Sequence, residues 1–416
     1  MHLFTVGGLM FVLATAALVD PHSLGDRDRT PLGSDPVIFV PADEGPKPIP
    51  DFVERGMEWL ANAQFENGGW GAGSHARQDV RDPRVVKIDP ATTAFSAMAL
   101  MRSGSTLSSG PYRRNIASAL DYLLGLVEQS PENDPRLSNI TGTQPQAKLG
   151  QNIDVSMVTQ FLSEILIYTE HDQDLHDRVA SALDVCLHKL ETSQDADGSW
   201  NSQAGWAGVL QTAMANNALE RAGDVGREVD EEALEKSRSY QRDAIDVASG
   251  GVRTEDAAGI PLYSIASNQR ATAKEAKVAE DAVIAGAAEG EIESPDVSEE
   301  NLEKMGFDEA DARRLAGSYR SNKAAEEMIA NDAVLTGFGN NGGEEFLSYM
   351  MTSESLVVSG SETWTDWHSK MRDRLSKVQN ANGSWSGHHC ITSPVFCTAA
   401  VILTITADRG GFADNG

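Results

Sequence analysis

Apolar side chains recur along the chain at helical rather than strand spacing. Val53, Met57, Leu60 and Ala61 fall at i, i+4, i+7 and i+8. Val179, Leu183, Cys186, Leu187 and Leu190 continue the same rule, as do Trp364, Trp367, Met371, Leu375 and Val378. Each set is an apolar stripe on one face of a helix. Few segments alternate with period two, so no sheet is expected and the fold class reads as all-α.

The stripes are punctuated by one motif that occurs three times. It reads Gln64-Phe65-Glu66-Asn67-Gly68-Gly69-Trp70, then Gln194 through Asp197-Gly198-Ser199-Trp200, then Gln379 through Asn382-Gly383-Ser384-Trp385. Each copy follows one amphipathic stretch and precedes another. Asn or Asp followed by Gly supplies the left-handed turn that stops a helix. The Gln amide bonds free backbone groups at helix ends, and the Trp covers the turn while its N–H seeks one acceptor. The helices that follow also share a pattern: Thr93-Ala94 leads to Leu100, Thr212-Ala213 to Leu219, and Thr398-Ala399 to Ile405. Asn152-Ile153-Asp154 through Thr159 and Leu166 reads as a fourth copy without its Gly-Trp turn. Helix–turn–helix units of this kind bury their faces only by stacking. The copies are unevenly spaced, so degenerate units are expected between them, over Tyr240–Ala271 and Asn341–Gly360.

These motifs resemble the QW repeats of the terpene cyclase and protein prenyltransferase superfamily. The resemblance spans Asp51 to Arg409, patchily between Asp224 and Ala333. It implies an α/α toroid, an inner ring of helices inside an outer one, in which the Gln and Trp tie an outer helix end to an inner helix start. It also implies an active cavity near the amino ends of the inner helices. The stretch from Trp364 to Ile405 is similar to the terminal repeat of secreted bacterial members of unassigned function.

Outside the repeats the sequence changes character. Residues 3–19 are uncharged over 17 positions, the length of a signal-peptide core or a short anchor, with Ala14-Thr15-Ala16-Ala17 as a cleavage region. Residues 20–50 hold seven of the sixteen prolines and read as an extended linker. The expected organisation is therefore a leader over 1–19, a linker over 20–50, one repeat domain over 51–409 and a tail over 410–416. Export follows, with the leader either cleaved or retained, and no membrane span is expected beyond it. The 416-residue chain carries a net charge of −28, which excludes the basic footprint of a nucleic-acid binder and attraction to anionic lipid. Three cysteines exclude a disulfide-stapled scaffold.

Candidate chemistry is sparse. The squalene cyclase type protonates an alkene with a DxDD motif, because so weak a base needs an acid held protonated by its neighbours. Neither DxDD nor the magnesium-binding DDxxD occurs here. Asp79, Asp82, Asp89 and Asp154 are the acids nearest the expected inner-helix starts. Asp89 and Asp154 are the candidate catalytic acids, although Asp89-Pro90 also reads as a helix cap. Protein prenyltransferases hold zinc through Asp, Cys and His, with the Cys two residues after the Asp. That pair is missing, and Cys397 stands where the family's helix-borne His would lie. His388, His389, Cys390 and Cys397 are the alternative candidates for zinc, a Cys390–Cys397 disulfide is another reading, and a polar turn with a buried thiol is a third. No cofactor is expected otherwise.

Other features read as structural. Cys186 lies on an apolar stripe, and His171 and His176 lie in a charged, solvated segment. Trp364 and Trp367 read as core residues, with a sugar- or lipid-binding groove as the alternative. Gly383-Ser384-Trp385-Ser386-Gly387 has the spacing of a serine-hydrolase elbow but places Trp at the nucleophile position. Residues 271–320 read as surface helices with an acidic loop. Met305-Gly306-Phe307 resembles a ubiquitin-associated signature, but a helix capped by Asp308 accounts for it. The functional expectation is an exported toroid that binds a lipid, peptide or glycan without superfamily catalysis. The alternative is an isoprenoid cyclase or transferase, or a glycan-active enzyme, with a divergent site.

Overall fold

The computed structural model describes residues 47–339 and 341–410. The leader, most of the linker and the tail lie outside the described residues. The described chain is almost entirely helical, as the periodicity predicts. Its helices are α1 (Asp51–Asn62), α2 (Pro90–Met101), α3 (Arg113–Gln129), α4 (Gln144–Lys148), α5 (Ile153–Leu166), α6 (Gln173–Thr192), α7 (Gly208–Asp224) and α8 (Glu231–Arg242), followed by α9 (Pro261–Glu289), α10 (Glu299–Lys304), α11 (Glu309–Ile329), α12 (Asp332–Leu335), α13 (Gly343–Val358), α14 (Trp364–Ser376) and α15 (Pro394–Ile405). One short ladder departs from the expectation of no sheet. Strands β1 (Ile245–Asp246) and β2 (Gly251–Val252) pair antiparallel, Ile245 against Val252. Two residues per strand are too few to show as alternation in the sequence.

The helices divide into two kinds. Every residue of α2, α5 and α15 is buried, as are α7 through Ala222, α13 through Leu356, and nearly all of α9 from Leu262 to Ala273. A helix apolar or satisfied on all sides belongs inside a larger assembly. Their Ser and Thr hydroxyls turn back on the helix: Ser156 donates to the Asn152 carbonyl, Thr159 to Val155 and Ser163 to Thr159, each at 2.8 Å. The others bury only a stripe, such as Val53, Met57 and Leu60 on α1. The last stripe stops one turn short of its prediction, because α14 ends at Ser376 and leaves Val378 exposed. Packing runs from α2 to α5, α7, α9, α13 and α15, and α15 packs again on α2. The striped helices α1, α3, α6, α8, α11 and α14 lie against these buried ones.

The three repeats have one geometry. The indole N–H of Trp70, Trp200 and Trp385 donates to the carbonyl ten residues before it, Leu60, Leu190 or Leu375, at 2.8, 2.9 and 2.8 Å. The Trp backbone N–H meets the hydroxyl of Thr93, Thr212 or Thr398 on the following buried helix. The Gln amide donates to the carbonyl of its own turn glycine and to one on a different striped helix. Gln64 reaches Asn115 on α3, Gln194 reaches Ala233 on α8, and Gln379 reaches back to Phe52 on α1 at 2.7 Å. Glycine is required at the turn. Gly68, Gly198 and Gly383 have φ near +90°, and a Cβ on Gly68 would lie 2.1 Å from the Ser118 carbonyl oxygen.

Residues 271–320 are more than surface helices. Helix α9 runs on past its buried half, and with α10 and α11 it encloses a second small core of Ala279, Val283, Ile292, Leu302, Ala312, Leu315 and Ala316. The small side chains that made this stretch look like solvated helix let α9 and α11 approach closely. The acidic run is exposed at Glu289, Glu291, Glu293 and Asp296. Asp308 caps α11 by accepting from the Asp311 amide at 2.9 Å.

A polar face at the amino ends of the buried helices

The buried helices run in the same direction, because their like ends meet. At the amino ends, the Ala91 amide of α2 donates to Asp154 of α5 (3.3 Å), the Asn152 amide before α5 to Gln211 of α7 (2.9 Å), and the Tyr263 hydroxyl of α9 to Glu345 of α13 (2.7 Å). The Ile391 amide before α15 donates to Glu344 of α13 (3.2 Å). At the carboxyl ends, Arg102 after α2 pairs with Glu164 of α5 (3.1 Å), and Arg221 of α7 pairs with Glu164 and with Glu354 of α13.

Both candidate catalytic acids lie at the amino ends. Asp89 is the N-cap of α2, accepting from Thr92 at 2.8 Å, and its other oxygen accepts from the Ala72 amide at 2.8 Å. It therefore fulfils the cap reading. Burial raises its pKa to about 6 against the pull of these amides. Asp154, on the first turn of α5, accepts from the Gln146 side chain at 2.7 Å. Burial, and then the neighbouring Asp89 charge, raise it to about 7. Asp79 and Asp82 are exposed on the preceding loop.

Glu344 and Glu345 open α13, and the sequence reading missed both. Glu345 reaches back to accept from the Gly342 amide (2.9 Å) ahead of α13 and also accepts from the Phe338 amide (2.9 Å). Burial and Glu345 raise Glu344 to about 7. The signal was a Gly-Gly pair followed by two acids, an ordinary helix start whose burial nothing in the sequence announces.

The metal candidates do not converge. His388 is exposed, its backbone amide bonded to the Asn341 carbonyl at 2.8 Å. His389 packs edge-on against Phe338, with ring centroids 5.1 Å apart, and lies 3.9 Å from Glu345. Cys390 has a left-handed backbone, φ 59°, that directs both its thiol and the Ile391 amide to Glu344. Burial and that carboxyl raise the thiol to about 12. Cys397 is buried in the first turn of α15 against the Ile391 carbonyl, 3.6 Å away, and burial raises its pKa as well. Both cysteines are free thiols, which removes the disulfide reading. Among the described residues, no group of three or more His, Cys, Asp or Glu side chains is placed to hold a metal ion.

A short strap crosses this face. Its core is α4, bounded by Gly142 and Gly150, both at positive φ. Its Gln144 amide donates to the Gly73 carbonyl ahead of α2 (3.0 Å), and Gly205 and Ala207 ahead of α7 donate to Leu149 and Lys148 (3.0 and 2.8 Å). The Gln144 side chain accepts from Thr392 and Ser393 ahead of α15, at 2.7 and 3.1 Å. Lys148 lies 4.5 Å over the Trp206 ring and acts electrostatically on Glu344 and Cys390. Thr143-Gln144-Pro145-Gln146 carries a capping box and a proline, so a helix start was readable there, but its position over the other helices was not.

Four large apolar side chains, Val85, Trp206, Val247 and Phe338, are exposed in loops that lead into buried helices, and of these Trp206 meets Lys148 of the strap and Phe338 packs on His389. Trp206 is 66% and Phe338 58% exposed, which is unusual for rings of that size. Trp364 and Trp367, by contrast, are core residues, and the Trp367 indole donates to Ser353 at 2.8 Å. Cys186 is buried in the core, and His171 is exposed. No described helix is long and apolar enough to cross a membrane. No protein-family model matches the chain, and no curated protein matches it by sequence.

Proposed function

We propose that the chain is an α/α toroid of the terpene cyclase and prenyltransferase type, exported by its leader, and that the face at the amino ends of the inner helices binds a ligand without superfamily catalysis. The inner ring would be α2, α5, α7, α9, α13 and α15. The cycle of packing that returns from α15 to α2, with Gln379 reaching back to α1, supports this arrangement. The single observation that carries the binding reading is the exposure of Trp206 and Phe338 beside Lys148 and His389, at a floor of buried polar groups. Apolar rim and polar floor together suit an amphipathic ligand: a lipid, a peptide or a glycan. The strap of α4 lies where the superfamily opens its cavity, which argues against an open catalytic chamber.

The test is a binding panel of phosphatidylcholine vesicles, chitohexaose and an apolar peptide pool, read by calorimetry. Binding to one class should be lost in Trp206→Ala and Phe338→Ala. Binding that both variants retain would refute the reading. The enzyme reading rests on Asp154, a buried acid raised to about 7 beside a second carboxyl, as an acid catalyst requires. Turnover of squalene or geranylgeranyl diphosphate that Asp154→Asn abolishes would put it first.

A further inference from the structure

The strap's Gln144 is bonded unevenly. It is fully buried, and its carbonyl oxygen accepts from the backbone N–H of Thr392 at 2.7 Å and of Ser393 at 3.1 Å. The Thr392 hydroxyl lies 3.3 Å from the same oxygen while donating to the Gln78 carbonyl at 2.7 Å. These donors stand at the start of α15, a 12-residue helix, where backbone amides favour an acceptor carrying negative charge. The amide nitrogen of Gln144 has no hydrogen-bond partner. A side chain that is half satisfied in a dry site is costly, because a buried unpaired donor loses its full hydration. A carboxylate has only acceptors, so it would use the same donors and leave nothing unpaired.

We propose that Thr392 and Ser393 form a carboxylate-binding nest that Gln144 occupies as an internal stand-in, and that an apolar monocarboxylate displaces it. The proposal rests on the ligand-binding reading of this face and names the ligand's chemistry. Displacement needs the strap to move, and Gly142 and Gly150 bound it at backbone angles that other residues rarely adopt. The apolar body would lie against the exposed rim, whose Phe338 already packs on His389 beside the nest. Charged and titratable groups that face the nest's elements are Glu344, on the neighbouring Ile391 amide, Glu345, Asp154, through Gln146, Lys148, Arg81 and His75, through Gln78. Glu344 and Asp154, raised to about 7, lose their opposition to an incoming anion as pH falls below neutrality.

Two variants of the full chain test this with octanoate, its methyl ester and octanamide as probes. Gln144→Ala removes the internal competitor, so octanoate should bind about tenfold tighter than to the wild type, and the two neutral probes should not. Gln144→Glu supplies a tethered carboxylate. The introduced carboxyl should titrate below the ordinary range of about 4.3 by NMR, and octanoate binding should disappear. An introduced carboxyl that titrates at or above that range overturns the nest. Equal affinity of Gln144→Ala for acid, ester and amide, or binding of none, overturns the ligand. The titration needs no ligand, so it fails only with the nest. The binding face fails separately, when Trp206→Ala and Phe338→Ala both leave panel binding unchanged.

Discussion

Carboxyl groups are buried at both ends of the buried helices, and the two ends treat them differently. At the carboxyl ends each one is matched by cations. Glu220 pairs with Arg238 (2.9 Å) and Arg270 (2.7 Å), Glu354 with Arg221 and Arg270, Glu164 with Arg102 and Arg221, and Glu275 with Arg314, Arg238 and Arg242. Burial pushes Glu220 and Glu354 up, but the surrounding cations outweigh it and hold both below the usual carboxylate range. At the amino ends, Asp89 and Asp154 have backbone amides, a Gln side chain and each other beside them, Glu344 has an amide, a thiol, Glu345 and the charge of Lys148, and burial wins. The first end is a closed ion network that ties α5, α7, α8, α9, α11 and α13 to one another and to Arg102 at the end of α2. The second holds protons loosely near neutrality and lies under a strap and an apolar rim, as a binding surface would. The three amino-end carboxyls are shifted upward, whereas Glu220 and Glu354 at the other end are shifted downward.

The largest effect is expected from breaking the closed network. Arg270 bonds Glu220, Asn217 and Glu354 at once. Arg270→Met leaves two buried carboxylates short of a cation and should cost about 3–5 kcal/mol in urea unfolding, the range for breaking a buried pair. Loss of under 1 kcal/mol would show that the network is dispensable and would erase the contrast.

A somewhat smaller effect separates the ends by pH. A carboxyl raised in the folded state contributes stability that is fully present below its unfolded pKa and is lost as pH climbs through the folded one. Asp89, Asp154 and Glu344 therefore stabilise below about pH 4 and cease to do so by about pH 7. Glu220 and Glu354 have lowered values, so their contribution is present above about 4.5 and is lost as pH falls below it. Unfolding free energy should peak on the acid side of neutrality and fall towards pH 8. Asp154→Asn should flatten that fall and gain on the order of 3 kcal/mol at pH 8, since a tenfold change in proton affinity is worth about 1.4 kcal/mol. An unchanged profile in Asp154→Asn would mean that the amino end is as well compensated as the other.

What the sequence disclosed follows from range. The repeat turns were readable to the residue, because Gln64, Gly68 and Trp70 act on neighbours within ten positions or on backbone at the next helix end. Replacing Trp200 by Ala should cost about 3 kcal/mol, at the lower edge of the range for a buried ring, because its turn keeps the Gln194 and Asp197 bonds. The floor of the amino-end face was not readable. Gln144 meets Thr392 across 248 positions, and Tyr263 meets Glu345 across 82. No periodicity encodes such pairs. Asp89 and Asp154 were found because each sits at a helix start with a local signature, whereas Glu344 looked like any acid in a first turn. The carboxyl-end network escaped for the same reason: nothing in the sequence around Arg102, Arg221 and Arg270 announces the burial of α2, α7 and the first half of α9.

The rim should matter to ligand and hardly at all to folding. Trp206 is two-thirds exposed and its main partner is Lys148, so Trp206→Ala should shift stability by no more than about 0.5 kcal/mol. A larger loss would make Trp206 a packing residue and weaken the contrast between rim and core.

The smallest expected effect comes from removing metal. The donors His388, His389, Cys390 and Cys397 sit at the amino ends, so a bound zinc would turn the loosely held end into a rigid, charged one. Their placement argues otherwise. His388 points to solvent while Cys397 is sealed in α15, and His389 is engaged by Phe338. Cys390 is directed to Glu344 by its left-handed backbone. Zinc needs three or four donors on a tetrahedron about 2.0–2.3 Å from one point. Bringing these four together would break the Ile391 amide bond to Glu344 and unwind the start of α15. Protein purified without a metal-affinity tag should therefore carry far less than one zinc per chain, and EDTA should leave its melting temperature unchanged. One zinc per chain that Cys397→Ser removes would overturn this, and the amino end would then be a metal centre rather than a proton-holding face.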